Sequence, residues 1–423
     1  MQEDFLHYLW QFKKFKNTGL KTVNNQAVTI QSVGTHNLNA GPDFFNAQLK
    51  IEQQAWAGNV EIHVKASDWY VHHHETDPAY DNVILHVVWE HDIDVHRQDN
   101  TIIPTLELKT YINTKALSNY KALFLNPKLW INCENSFSNL DHFTINNWVE
   151  RLYFERLERK SQEIEVLLQA SKNNWEAVLF KMLAKNFGSK INSDAFFSMA
   201  NTIDFNIIRK LQLKPLELEA LFMGQAQILT EDTDNLYALE LLKTYRFLAH
   251  KYKLNNSAVV KTKFFRLRPA NFPTLRLSQL AALFAEQQNL FSKIIEANTL
   301  EHIYKLFNVQ ASIFWDTHYT FSKATKSSKK KLSKSFIDLL IINTIIPLKF
   351  SYAKYQDKPV DDHIINMMST IKSEKNSIVD KFNNLKKVAN NALQSQGLLQ
   401  LKNEYCDHKR CLKCEIGSKL LNK

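Results

Sequence analysis

Cysteine is scarce, with four in 423 residues, and glycine and proline number only 8 and 9. These shortages exclude collagen-like and low-complexity chains. They also exclude a disulfide-stapled scaffold, and a chain of this length buries a core without staples. Arginine is the next shortage. There are 10 against 43 lysines, so lysine carries most of the formal charge of +10. A long uninterrupted apolar run is missing as well. The most apolar stretch, Ser335–Phe350, is interrupted by Asp338, Asn343 and Pro347. It falls short of the ~20 residues a membrane span needs. It reads as a buried helix that breaks near Pro347. The opening MQEDFLHYLWQF is acidic before it turns apolar, whereas a secretory leader starts basic. A cytoplasmic protein with reduced thiols and no membrane partner is expected.

What is present argues for a folded chain, since 44% of residues are hydrophobic and 12% aromatic. The positive charge suits a polyanion, which makes DNA or RNA the candidate partner.

The chain has two grammars. Up to about Leu108 it reads as strand: Thr22–Val33 in two pieces around an Asn-Asn turn, then Asp43–Ile51, Asn59–Val64, Val83–Trp89 and Ile102–Leu108. Pro104 puts the last of these at a sheet edge. Before them, Phe5, Leu6, Leu9, Trp10, Phe12 and Phe15 have helical spacing. From about Asn146, apolar residues recur every three or four positions between charges, beginning with a long amphipathic helix. Further helices are expected at Trp175–Phe187, Pro215–Leu229, Ala238–Lys251 and Val379–Leu401, among others. The expected class is α+β. A mixed β-sheet domain over residues 1–111 is followed by a linker over 112–145 and a mostly α-helical domain over 146–423.

The chemistry-rich stretch runs from Gly41 to Asp92. Asp43 opens one strand, and Glu61 lies inside the next. Alternation puts Glu61, His63 and Lys65 on one face, and Val60, Ile62 and Val64 on the other. Two carboxylates on neighbouring strands can hold a hard divalent cation such as Mg²⁺ or Mn²⁺, which activates water. This pattern resembles the PD-(D/E)XK nuclease superfamily, whose core is a helix, three antiparallel strands, a helix and a strand. Pro42-Asp43 looks like its PD, and Glu61 with His63 sits where it has (D/E)-x-K. The resemblance implies that Asp43 and Glu61 bind the metal, that Glu3 or Asp4 is the helical acid, and that Lys65 or His63 positions the water. His63 stands where the family has lysine, and Lys65 lies two residues further on.

Histidine is dense here. His72 and His74, with Asp77, can ligate one metal from a loop. That spacing falls one residue from the His-x-His-x-Asp-His pattern of metallo-β-lactamases. His86, in an apolar strand, reads as a hydrogen-bonded core histidine.

Cys406, Cys411 and Cys414 form C-x4-C-x2-C near the end of the chain. Thiols this close in a reducing compartment suggest a metal, either zinc or an Fe–S cluster. Cys133 is the candidate fourth ligand and His408 the local alternative. Arg266, Arg268 and Arg276 crowd one segment around Pro269 and Pro273, where they can guide a phosphate backbone.

The segments GPDFFNAQ, GNVEIHV, SDWYVHHHETDPAYDNVILHVVWE, RLRPANFPTLRLSQLA, WDTHY and YCDHKRCLKCEIG are together similar to a bacterial family called domain of unknown function 2851. That resemblance implies an intracellular protein and no particular activity. The resemblance of the Gly41–Asp92 stretch to the nuclease superfamily implies a metal-dependent nuclease. The alternatives are a non-catalytic nucleic-acid-binding or scaffold protein, and a metallohydrolase built on His72, His74 and Asp77.

Overall fold

A computed structural model describes residues 2–112, 114–124, 129–359 and 362–422. The chain forms two compact units, Met1–Trp148 with Leu401–Lys423, and Val149–Gln400.

The first unit opens with helix α1 (Glu3–Gln11), which buries Phe5, Leu6, Leu9 and Trp10. The strands follow as β1 (Leu20–Lys21), β2 (Ala27–Ser32), β3 (Thr35–His36), β4 (Phe44–Ile51), β5 (Gln54–Lys65), β6 (Val83–Glu90) and β7 (Thr105–Glu107). They form one mixed sheet in the order β1-β2-β4-β5-β6-β7, with β3 paired to β4. Pairing is antiparallel as far as β5, and parallel from β5 to β6 and from β6 to β7. Asn25, in the expected turn, takes a left-handed φ of 61°. Strand β7 lies at the sheet edge, where the donor that Pro104 lacks is not needed.

A parallel pair needs a crossover. Here it is helix α2 (Asp68–Val71) and the short turns that follow, which carry the chain from β5 to β6. Val60 and Ile62 join the apolar core beneath the sheet. On the opposite face of β5, Glu61 and His63 are only 4% and 1% exposed. The crossover that holds His72 and His74 supplies ring contacts over that face.

The expected linker contains helices α3 (Thr114–Phe124) and α4 (Glu134–Phe137). Tyr120 of α3 stacks on Phe5 with 4.0 Å between ring centroids. The C-terminal segment also belongs to this unit, not to the helical one as expected. Lys419 Nζ meets Asp141 Oδ2 at 2.6 Å, and the Asn119 side chain donates to the Leu421 carbonyl at 3.4 Å. Helical spacing describes a segment's own conformation but does not name the surface it packs on.

The second unit is mostly helical, and its core includes Phe180, Phe196, Phe222, Phe284 and Trp315. Two helices differ from expectation. Val379–Leu401 is divided into Ser377–Leu385 and Ala392–Gln400. Asn383 Oδ1, on the side chain, accepts the backbone N–H groups of Val388 and Ala389, which stabilises the break. Conversely, the helix does not break at Pro347. A π turn over Ile341–Ile345 precedes Ile346–Tyr355, and a local widening of this kind accommodates a proline inside a helix. The resulting Lys334–Tyr355 helix has 22 residues and is apolar enough to cross a membrane by length and composition. Most of it is buried, with Ile341, Ile345, Ile346 and Leu348 in the core of this unit.

Candidate metal centre

The site is assembled where α1, the start of β4 and the middle of β5 meet the crossover. The loop before β4 is held from within. Asn37 Nδ2 donates to the carbonyls of Asn39, Ala40 and Pro42 at 3.0, 3.2 and 3.1 Å. Gly41 takes φ +99°, a conformation that side chains disfavour. The loop thus delivers Asp43 beside Glu61. The two residues are tied reciprocally: Asp43 N–H donates to Glu61 Oε2 at 3.0 Å, and Ile62 N–H donates to Asp43 Oδ2 at 2.9 Å.

From α1, His7 Nε2 lies 3.2 Å from Asp43 Oδ2 and 3.8 Å from Glu3 Oε1. Each of Glu3, His7 and Asp43 offers a ligand atom within 4.8 Å of the other two. A second such group is His63, His72 and His74. Glu61 stands between them, with Oε1 3.3 Å from His74 Nε2 and 3.5 Å from His63 Nε2. His86 is fully buried, and its Nε2 meets His63 Nδ1 at 2.9 Å.

Electrostatics disfavour charge on Glu3, Glu61, His63 and His74 without a cation. Burial, then the Asp43 carboxylate, push the Glu61 carboxyl well above the usual range. Burial and Asp43 raise Glu3 in the same way. Burial, then His74 and His72, push His63 down to about 3. Burial lowers His74 as well. For His7, burial acts downward, but the hydrogen-bonding and charge of Asp43 outweigh it and the net shift is upward. Neutral imidazoles have lone pairs to give, and clustered carboxyls gain from a cation. Two buried nitrogens, His7 Nε2 and His74 Nε2, each face a carboxylate, that of Asp43 at 3.2 Å and that of Glu61 at 3.3 Å. The donor set therefore fits a divalent metal.

The residues named from sequence divide clearly. Asp43, Glu61 and His63 come together, and Glu3 joins them in preference to Asp4. Lys65 is exposed, unlike Glu61 and His63 on its strand face, because β5 reaches its end there. Asp77 does not join His72 and His74, since its carboxylate caps the following turn through Ala79 N–H at 2.9 Å. His63 takes the third place. His7 escaped the sequence reading, although it lies one helical turn beyond Glu3, and that i, i+4 spacing was the available signal.

Cys133, Cys406, Cys411 and Cys414 line one small cavity in the sheet unit, with Asn132, Leu401 and Tyr405. His408, the local alternative, is absent from that lining. Burial, then the neighbouring thiols, raise the Cys133 and Cys406 thiols, and burial with Cys414 pushes Cys411 up to about 12. Among the described residues, no three of these sulfurs all lie within 4.8 Å of one another. A tetrahedral zinc site, with Zn–S of ~2.3 Å, needs sulfurs roughly 3.8 Å apart.

The three arginines do not act together. Arg266 and Arg268 are exposed. Arg276 is buried in the helical unit, where it donates to Gln279 Oε1 at 2.9 Å and Asn271 Oδ1 at 2.6 Å. Its guanidinium lies 3.4 Å from the Phe336 ring centroid. It is thus a packing residue rather than an exposed phosphate contact. Arg276→Ala is expected to destabilise the helical unit by ~2–4 kcal/mol, read as a lower melting temperature, while Arg268→Ala leaves it in place. An unchanged melting temperature for Arg276→Ala would remove this structural role.

The model of a family described as protein of unknown function (DUF2851) matches residues 3–377. The chain belongs to this family. The DUF2851 match includes every ligand candidate of the sheet unit outside the cysteine cavity, and it ends before Cys406, Cys411 and Cys414. No curated protein and no solved structure matches the chain.

Proposed function

We propose that the sheet unit is a divalent-metal-dependent phosphodiesterase acting on DNA or RNA. The observation that carries this reading is the reciprocal Asp43–Glu61 pair, with Glu3 and His7 closing on Asp43. The element order supports it too: a helix, antiparallel strands, a short crossover helix and a parallel strand. Asp43 and Glu3 offer the oxygen donors that Mg²⁺ or Mn²⁺ prefers. A cation held there would activate water and offset charge on the phosphodiester. Glu61, neutral when buried alone, gives up its proton as positive charge arrives. His7 Nε2, buried 3.2 Å from Asp43 Oδ2, faces the same space and can orient water. The +10 net charge and the exposed Arg266 and Arg268 favour a polyanionic substrate. Such chemistry suits a cytoplasmic protein.

The cysteine cavity is a separate matter. Four cysteines that line one cavity, and whose sulfurs would draw closer around an ion, favour a thiophilic metal centre, Fe–S or zinc, with a structural role.

The test is cleavage of single- and double-stranded DNA and RNA with Mg²⁺ or Mn²⁺. Asp43→Asn should lose at least about a hundredfold in rate, since it removes a ligand charge. Equal cleavage by both proteins would discard the site. A wild-type protein that binds nucleic acid without cleaving it would leave the non-catalytic alternative.

A further inference from the structure

The carboxylate group accounts for Glu3, His7 and Asp43 but leaves three imidazoles without a task. We infer that His63, His72 and His74 form a second metal position, suited to a borderline divalent ion such as Zn²⁺, with Glu61 standing between it and the carboxylate group. This rests on reading the carboxylate group as a hard-cation site.

The three rings come from two elements that the crossover brings together. His63 is on β5, and His72 and His74 are on the loop above it. His73 between them takes a left-handed φ of 60°, which bends the backbone within this histidine run. One nitrogen from each of the three lies within 4.8 Å of the others. A zinc ion with Zn–N of ~2.0–2.1 Å in tetrahedral geometry needs donors about 3.3 Å apart. His63 Nε2 and His72 Nδ1 are 3.2 Å apart, and Glu61 Oε1 is 3.3 Å from His74 Nε2.

The rings are also braced as ligands need to be. His74 stacks on Tyr80 at 3.8 Å between centroids, which leaves its buried Nε2 facing Glu61 Oε1. His63 keeps Nε2 toward the group because Nδ1 is engaged by the buried His86. An outer partner on the second ring nitrogen is what fixes a histidine ligand.

The two positions differ in chemistry. Imidazoles suit zinc and similar ions, and carboxylates suit magnesium and manganese. Glu61 turns Oε1 toward the imidazoles and Oε2 toward Asp43 N–H. One carboxylate can therefore serve a mixed pair of ions.

The experiment is calorimetric titration of the metal-stripped full chain with Zn²⁺ and, separately, Mn²⁺. His72→Ala is the first variant, because His72 is exposed and its removal opens no core. It should lose one tight Zn²⁺ equivalent, or at least about tenfold in zinc affinity, and keep Mn²⁺ binding. Asp43→Asn should show the reverse. The cysteine thiols are the same in the wild type and in every variant, so their zinc cancels in the comparison. Co²⁺ gives a second readout, as its visible absorption should fall in His72→Ala and His74→Gln. Unchanged zinc stoichiometry and affinity in both histidine variants would overturn the inference. If zinc binding follows this pattern but no protein cleaves nucleic acid, the second position stands and the phosphodiesterase reading falls. The opposite pattern removes the second position alone.

Discussion

Replacing Glu61 with glutamine is expected to lower metal-dependent cleavage at least about a hundredfold, equivalent to ~2.7 kcal/mol of lost transition-state stabilisation. The melting temperature of the metal-free protein should change little. The reason is the environment of the carboxyl. Burial and Asp43 already favour its neutral form. A glutamine carbonyl can accept the Asp43 N–H as Oε2 does now, and its NH₂ can donate toward His74 and His63. Shape and hydrogen bonds survive, but the ability to become an anion is lost. The measurements are cleavage rate against metal concentration, and thermal unfolding with and without Mn²⁺. The variant should also lose most of the stabilisation that Mn²⁺ gives the wild type, since a ligand stabilises only the state that binds it. Undiminished cleavage would remove Glu61 from the machinery. A large fall in metal-free stability would recast it as a structural residue.

Cys133→Ala should release bound metal from the purified protein and loosen the end of the chain. Cys133 is the only cysteine distant in sequence from the other three, yet all four line one cavity. The segment carrying the others is packed tightly. A Cβ on Gly417 would come within 2.0 Å of the Cys411 carbonyl oxygen. Tyr8 Oη also meets Ser418 Oγ at 3.3 Å. Without a metal, the segment relies on its polar contacts, Lys419 with Asp141 among them, and on its apolar packing. Proteolysis within Leu401–Asn422 should then become at least about tenfold faster, or ~1.4 kcal/mol in opening free energy. Stripping metal from the wild type should have the same effect. Elemental analysis and a visible spectrum distinguish zinc from iron with labile sulfide. A wild-type protein that carries no metal and resists protease as well as before would end the case for a metal clasp.

Much of this protein is legible along the chain. The switch from alternation to helical spacing divides sheet from helices, because each periodicity reports the one face a segment must bury. Asp43, Glu61 and His63 are legible for a related reason: polar groups recurring on one face of an apolar strand have few structural uses. Lys65 shows the limit of that logic. Alternation gives the face of a side chain but not the end of the strand, and Lys65 lies at that end. The Asp77 reading failed because a carboxylate beside a proline turn can satisfy a backbone donor instead of a metal.

The sequence by itself determined the α+β class, the strand order along the chain and the donor chemistry. Those follow from local periodicity and side-chain type. Only the tertiary structure decided that His7 joins Asp43, that His63 rather than Asp77 completes the histidine group, that Arg276 is packed away, and that the cysteine tail belongs to the sheet unit. Each depends on which distant surfaces meet. That is set by the burial of whole faces and the direction of a crossover, and no short window of sequence contains either.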